Sequence, residues 1–267
     1  MPIFLGKGLG CIKDKKDERD FSLTRMSPAQ RKKLPKRVDY TKKMSAVSDQ
    51  GDEGTCVGFA TVDGLKEYEE RTEWKKDVQL SVRYVYSNAK KIDGSPNEEG
   101  TYIRCAMKIL QKKGAAPDSC WPYKPHQTDK PCAKADQLAR PNRIVRYVRL
   151  STMQEMKESL YVNGPFVAGV LVFNSWSNAS TTGKIPMPKP GDQIVGGHAI
   201  CIVGYDDTKK EFKFKNSWTK DWGDHGYGHM PYGYIENYMQ DAWSAKDLLH
   251  KVRKAKKGPS RRKKPRR

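Results

Sequence analysis

A cysteine, a histidine and an asparagine occupy segments of this chain that suit nucleophilic chemistry. Cys56 lies in Gln50-Gly51-Asp52-Glu53-Gly54-Thr55-Cys56-Val57-Gly58-Phe59-Ala60, a glycine-punctuated loop that runs into a helical pattern. A helix N-terminus presents unpaired N–H groups and the positive end of the helix dipole, and both favour a thiolate, the nucleophilic form of cysteine. His198 follows in Gly196-Gly197-His198-Ala199 and Asn216 in Lys215-Asn216-Ser217-Trp218, 142 and 160 residues after Cys56. Taken singly, each has a plainer reading: a small buried hydrophobe, a structural histidine, a turn residue. Together with Gln50 they supply a nucleophile, a base, an orienting amide and an oxyanion donor, which points to thiol-dependent peptide hydrolysis.

Such distant residues must meet between separate parts of the fold. Phe59, Val62, Leu65 and Tyr68 recur three apart with charged residues between them, which predicts a helix over 61–71. Val82, Val85 and Tyr86 mark a second helix over 81–90; Ile103, Met107 and Leu110 mark a third over 102–112, with Gly114 as its stop. The character then changes. Residues 143–150 alternate, 166–173 form a β-favouring run after Gly164-Pro165, and 199–205, 212–216 and 226–230 read as further short strands. Helices first and strands second predict an α+β protein with a helical lobe and a β lobe. The expected organisation is a basic leader over 1–37, a mainly helical lobe over 38–140, a β lobe over 141–245 and a basic tail over 246–267.

Charge belongs to the two ends. Residues 246–267 carry +11 and residues 1–37 carry +7, leaving +2 of the total +20 for the body. The tail, which ends Arg261-Arg262-Lys263-Lys264-Pro265-Arg266-Arg267, reads either as a solvated end or as an anchor for nucleic acid or another polyanion, and it also resembles a nuclear address. No aromatics are interleaved, so only phosphate contacts are expected. Met1-Pro2-Ile3-Phe4-Leu5 followed by Lys7 is too short for a signal-peptide core, and no apolar stretch approaches the roughly 20 residues of a membrane span. A cytoplasmic setting without membrane attachment is expected, with the six cysteines reduced; Cys120 and Cys132 are the pair that would join under oxidising conditions. His225 and His229 are spaced four apart in a Gly- and Tyr-rich segment that is not helical, so no metal is expected there.

From Val38-Asp39 to Trp243 the chain resembles the papain-like, cathepsin-type cysteine peptidases. The resemblance rests on Asp49-Gln50-Gly51, Gly54-Thr55-Cys56, Trp121-Pro122-Tyr123, Gly197-His198-Ala199, Val203-Gly204-Tyr205, Asn216-Ser217-Trp218 and Trp222-Gly223-Asp224-His225-Gly226-Tyr227. The leader segment Lys16-Asp17-Glu18-Arg19-Asp20-Phe21 followed by Leu34-Pro35 is similar to the short-leader branch found in bacteria and their relatives. The resemblance implies a papain-like two-lobed fold, with a C-terminal antiparallel barrel-like lobe and the active site in the cleft. It implies Cys56 as nucleophile, His198 as base, Asn216 as its orienter, Gln50 as oxyanion donor and Trp218 as a cover over the His198–Asn216 bond. Gly100 matches the glycine whose backbone pairs with extended substrate. Trp222 would form a wall beyond the scissile bond, and Tyr102 and Gly197 would border the main specificity pocket. The implied protein is a monomeric endopeptidase acting on polypeptides without cofactor or metal; a separate expectation is that the leader, residues 1–37, lies across the cleft and is removed near Leu34-Pro35. The competing reading is a catalytically silent scaffold that binds polyanions or proteins through its basic ends. Two positions depart from the family pattern: Glu53 stands where a cysteine is usual and Val57 where an aromatic is usual.

Overall fold

In the computed structural model residues 2–21, 34–75 and 77–246 are described; residues 22–33 of the leader and the basic tail beyond Lys246 lie outside them. The loop before Cys56 feeds a long helix, α1, which is α-helical over Cys56–Phe59, π-helical over Ala60–Lys66 and α-helical again over Glu67–Trp74. Thr61 in the widened segment returns its Oγ1 to Val57 O at 2.7 Å. Helices α2 (Val82–Lys90) and α3 (Ile103–Lys112) pack against α1, with Val57, Leu65, Val85, Met107 and Leu110 fully buried in one cluster. Ser81 caps α2 by accepting from Tyr84 N. A short helix α4 (Ala135–Ala139) closes this lobe.

The second lobe is an antiparallel sheet in the order β10-β9-β8-β7-β11-β6, with β4 added to β8. Its strands are β4 (Arg37–Asp39), β6 (Arg146–Arg149), β7 (Phe166–Phe173), β8 (Ile194–Asp206), β9 (Glu211–Lys215), β10 (Tyr227–Pro231) and β11 (Met239–Lys246). β7 reads as an unbroken apolar run because it is buried on both sides, between α5 (Met153–Asn163) and the π-helical part of α1. A short helix α6 (Tyr232–Tyr238) precedes β11. The second core gathers Phe166, Val170, Trp176, Ile202, Phe212 and Phe214. The architecture is α+β and two-lobed, and its expected strands are present within a few residues of their expected bounds.

Three features correct or extend the sequence reading. Helix α5 and strand β11 were not anticipated. Cys120 and Cys132 are joined, which overturns the expectation of six reduced thiols, while Cys11, Cys56, Cys105 and Cys201 are free and buried. The leader is also structured: a hairpin of β1 (Ile3–Phe4) and β2 (Lys7–Gly8) precedes β3 (Cys11–Ile12), which pairs in parallel with β5 (Thr101–Tyr102) of the helical lobe.

The lobes are fastened by a buried cation. Lys215, only 3% exposed at the end of β9, crosses to α1 and places Nζ 3.0 Å from Asp63 Oδ1 and 2.9 Å from Ser45 Oγ. Replacing Lys215 by methionine strands the Asp63 carboxylate in the interior, an uncompensated charge worth about 3–5 kcal/mol. A melting temperature lower by roughly 10 °C is expected in a circular-dichroism melt; an unchanged transition would deny the pair this fastening role.

Candidate active site

Cys56 is the first residue of α1 and is fully buried. The N–H groups of Ala199, the residue after His198 in β8, and of Gly10 of the leader lie close enough to its thiol to favour the thiolate. His198 is fully buried, and its Nε2 meets Asn216 Oδ1 at 2.8 Å. Asn216 Oδ1 also accepts from Ser217 N at 2.9 Å, so it acts as an acceptor toward the ring, and the imidazole proton sits on Nε2. That leaves Nδ1 as the ring's basic nitrogen; it is buried without a hydrogen-bond partner among the described residues. Trp218 stacks over the ring with centroids 4.7 Å apart and planes tilted by 31°. Trp176 stands edge-on to the same ring at 6.3 Å and lies tilted against Trp218 at 6.0 Å, fixed by an Nε1 bond to Tyr234 OH at 2.7 Å. Trp176 thus borders the histidine as well as packing in the core of the β lobe. No local motif could have revealed its second use, because it reaches the histidine only through the fold of β8.

Gln50 is fully buried in the loop before Cys56. Its backbone N–H bonds Ser217 O at 3.0 Å and its Oε1 accepts from Ser217 Oγ at 2.7 Å. The Nε2 hydrogens are divided: one goes to Glu53 O at 3.0 Å and the other to Gly8 O of the leader at 2.8 Å. A backbone carbonyl therefore already sits on the amide that the sequence reading assigned to an oxyanion. The leader continues past the cysteine with Gly10 O accepting from Thr101 N at 2.9 Å, and it is flanked by the Lys7–Asp49 ion pair. Phe4 reaches the Trp218 ring at 6.3 Å, and Trp222 lies edge-on to Trp218 at 5.4 Å as part of the same aromatic wall.

Gly100 lies against the leader, where an added Cβ would stand 2.7 Å from Gly10 O, but its own N–H goes to Tyr86 OH at 3.0 Å and its carbonyl accepts from Lys90 Nζ at 2.8 Å. The strand edge that meets an extended chain is instead Thr101 and Tyr102, which pair with Cys11 and Ile12. Gly197 lies directly under the leader, where an added Cβ would stand 2.2 Å from Cys11 O. A cavity of about 730 Å³ remains beside the leader, bounded by Leu9, Ile12, Asp52, Glu99, Gly197 and Gln240.

Under this cover the dyad is buried and uncharged. Burial pushes the Cys56 thiol up to about 11, against the pull of the Ala199 and Gly10 amides, and pushes His198 down to about 4, against the pull of Asn216. Further along, Asp20 of the leader accepts from Arg104 Nη2 at 2.7 Å and Arg149 Nε at 3.0 Å. Asp14 accepts from Trp243 Nε1 at 3.1 Å, and its carboxyl is raised to about 6 by burial and by Asp241. Among the described residues no group of three or more His, Cys, Asp and Glu side chains is arranged to hold a metal ion.

Residues 34–245 match the papain family of cysteine proteases. The chain belongs to that family and is a cysteine-type peptidase. It is similar to xylellain, a cysteine protease from Xylella fastidiosa, at 35% identity with a TM-score of 0.83, covering 91% of this chain and 97% of that one. It is also similar to an uncharacterized peptidase C1-like protein, L477, of Acanthamoeba polyphaga mimivirus, at 29% identity over 93% of this chain and 89% of that protein. Cathepsin S of Mus musculus is 30% identical over 74% of this chain, a match that spans 58% of the cathepsin.

Proposed function

We propose that the chain is an endopeptidase in which Cys56, His198 and Asn216 act as nucleophile, base and orienting group, and that residues 2–21 hold it latent. The observation that carries this reading is the Gly8 carbonyl on the Gln50 amide, in a backbone whose glycines press against Glu53 and Gly54 of the loop before Cys56. A polypeptide is already seated along the groove, and its carbonyl takes the Gln50 hydrogen that this reading reserves for the substrate.

With the leader displaced, the Cys56 thiol gives its proton to His198 Nδ1, and the thiolate adds to the substrate carbonyl carbon. The developing oxyanion takes the Nε2 hydrogen of Gln50 released by Gly8, a donor worth roughly 3 kcal/mol in the transition state. Collapse breaks the C–N bond, and the amine leaves with the proton from the imidazolium. Water, deprotonated by the same nitrogen, then cleaves the thioester and restores the thiol. Asn216 holds the ring plane throughout, and Trp218 and Trp176 keep water from the His198–Asn216 bond.

Self-removal of the leader is the natural exit from the latent form. Intact-mass analysis of purified wild type and Cys56→Ser checks it: loss of the leader in wild type alone is expected. Loss in both proteins, or in neither, would refute self-processing.

A further inference from the structure

We infer that Glu53 and Arg83 form a positioning pair that aims the Gln50 amide at the oxyanion. Glu53 stands three residues before Cys56, in the loop that carries Gln50, whereas Arg83 belongs to α2. Both are buried, at 6% and 4% exposure. The guanidinium grips the carboxylate with two parallel bonds, Nη1 to Oε1 at 2.7 Å and Nη2 to Oε2. Further hydrogen bonds surround the pair. Arg83 Nη2 reaches Lys124 O at 2.6 Å, Arg83 Nε reaches Gln127 Oε1 at 3.2 Å, and Glu53 Oε2 accepts His126 N at 2.8 Å. Tyr123 lies under the guanidinium at 4.8 Å and donates its hydroxyl to Gln50 O at 2.7 Å.

The connection to chemistry runs through the Glu53 main chain. An amide has two N–H vectors at a fixed angle, so holding one fixes the other. Glu53 O holds one Gln50 hydrogen, and the second then points at the position filled by Gly8 O. The carboxylate clamp sets where that carbonyl lies. The loop lacks the covalent tie that a cysteine at this position would provide, and a bidentate ion pair between two elements fixes both distance and rotation in its place. A displacement of about 1 Å at such a donor costs on the order of 100-fold in rate.

The inference rests on the peptidase reading, and the experiment separates the two. In full-length protein whose leader is lifted by Gly8→Val/Gly10→Val, peptide hydrolysis and alkylation of Cys56 by iodoacetamide are measured for that parent protein and with Glu53→Gln, Arg83→Met or Gln50→Ala added. Alkylation displaces iodide at a saturated carbon and forms no oxyanion, so it reports the thiol alone. Glu53→Gln and Arg83→Met are expected to lower kcat about 50-fold, with KM within about threefold and alkylation within about twofold of that parent. Adding Glu53→Gln to Gln50→Ala is expected to cost little more than Gln50→Ala alone, because both remove the same donor. If a single variant does not fold, Glu53→Met/Arg83→Met removes both charges together, and the same signature is expected of it. Unchanged kcat, hydrolysis and alkylation falling in parallel, or additive losses with Gln50→Ala would each overturn the positioning role. Absence of hydrolysis in the leader-lifted parent would instead remove the peptidase reading and this inference with it.

Discussion

Valine at both Gly8 and Gly10 is expected to switch the protein on. The two glycines are where the leader backbone presses against the loop before Cys56. A Cβ at Gly10 would stand 2.0 Å from Gly54 O, and one at Gly8 would stand 2.4 Å from the Glu53 carbonyl carbon. Backbone faces backbone at both points, so no side-chain rotation relieves the clash and the leader must lift. Overpacking of this kind costs about 2 kcal/mol per site, and about 4 kcal/mol in total shifts the covered-to-uncovered ratio by about a thousandfold. Alkylation of Cys56 by iodoacetamide at about pH 6 should therefore accelerate by at least about 100-fold. The pH profile gives the sign. In the covered form the thiol is held up to about 11, so thiolate grows only as pH rises toward that value, and the rate should climb without a plateau through neutrality. His198, held down to about 4, is neutral over the same range and offers no cation to stabilise the thiolate. Once water enters, the helix N-terminus and a protonated His198 lower the thiol pKa, and the rate of the valine variant should be flat across neutral pH. Identical profiles for the two proteins would mean that the leader does not control the site.

The larger effect is expected at the nucleophile. In a leader-released background, Cys56→Ala should reduce peptide hydrolysis by at least about 10⁵-fold, because no other side chain can form the thioester. His198→Ala should cost nearly as much, and the double variant little more than either single one, since each loss disables the same step. Both proteins should retain the wild-type melting transition within a few degrees, because Cys56→Ala removes one sulfur from a site that the α1 backbone and β8 shape on their own.

Much of this arrangement is visible in the residue order, for physical reasons. α2 and α3 carry their buried residues at helical spacing, and β7 announces itself because both its faces are covered. The loop-to-helix step at Cys56 and the Gly-His and Asn-Ser-Trp segments are local patterns, and the resemblance rests on them. Helix α5 had a local signal that went unread: Thr152 and Glu155 form a capping box, spaced as such boxes are. β11 had none, because Asp241 and Ser244 interrupt its alternation. They are buried only because Arg149 and Ser159 meet them from other elements. The leader strands are two residues long and take their structure from the cleft they occupy, so periodicity could not predict them. The employment of Gly100, the edge contact of Trp176 and the Glu53–Arg83 clamp all join residues distant in the chain. They depend on how the helices and strands pack, which residue types alone do not specify.

The most direct measurement is intact mass after exposing the Gly8→Val/Gly10→Val protein to an epoxide thiol trap, with and without Cys56→Ala. One adduct per molecule, mapped to Cys56 and absent from the alanine variant together with peptide hydrolysis, is the predicted result. No adduct, or hydrolysis that survives the loss of Cys56, would contradict the account.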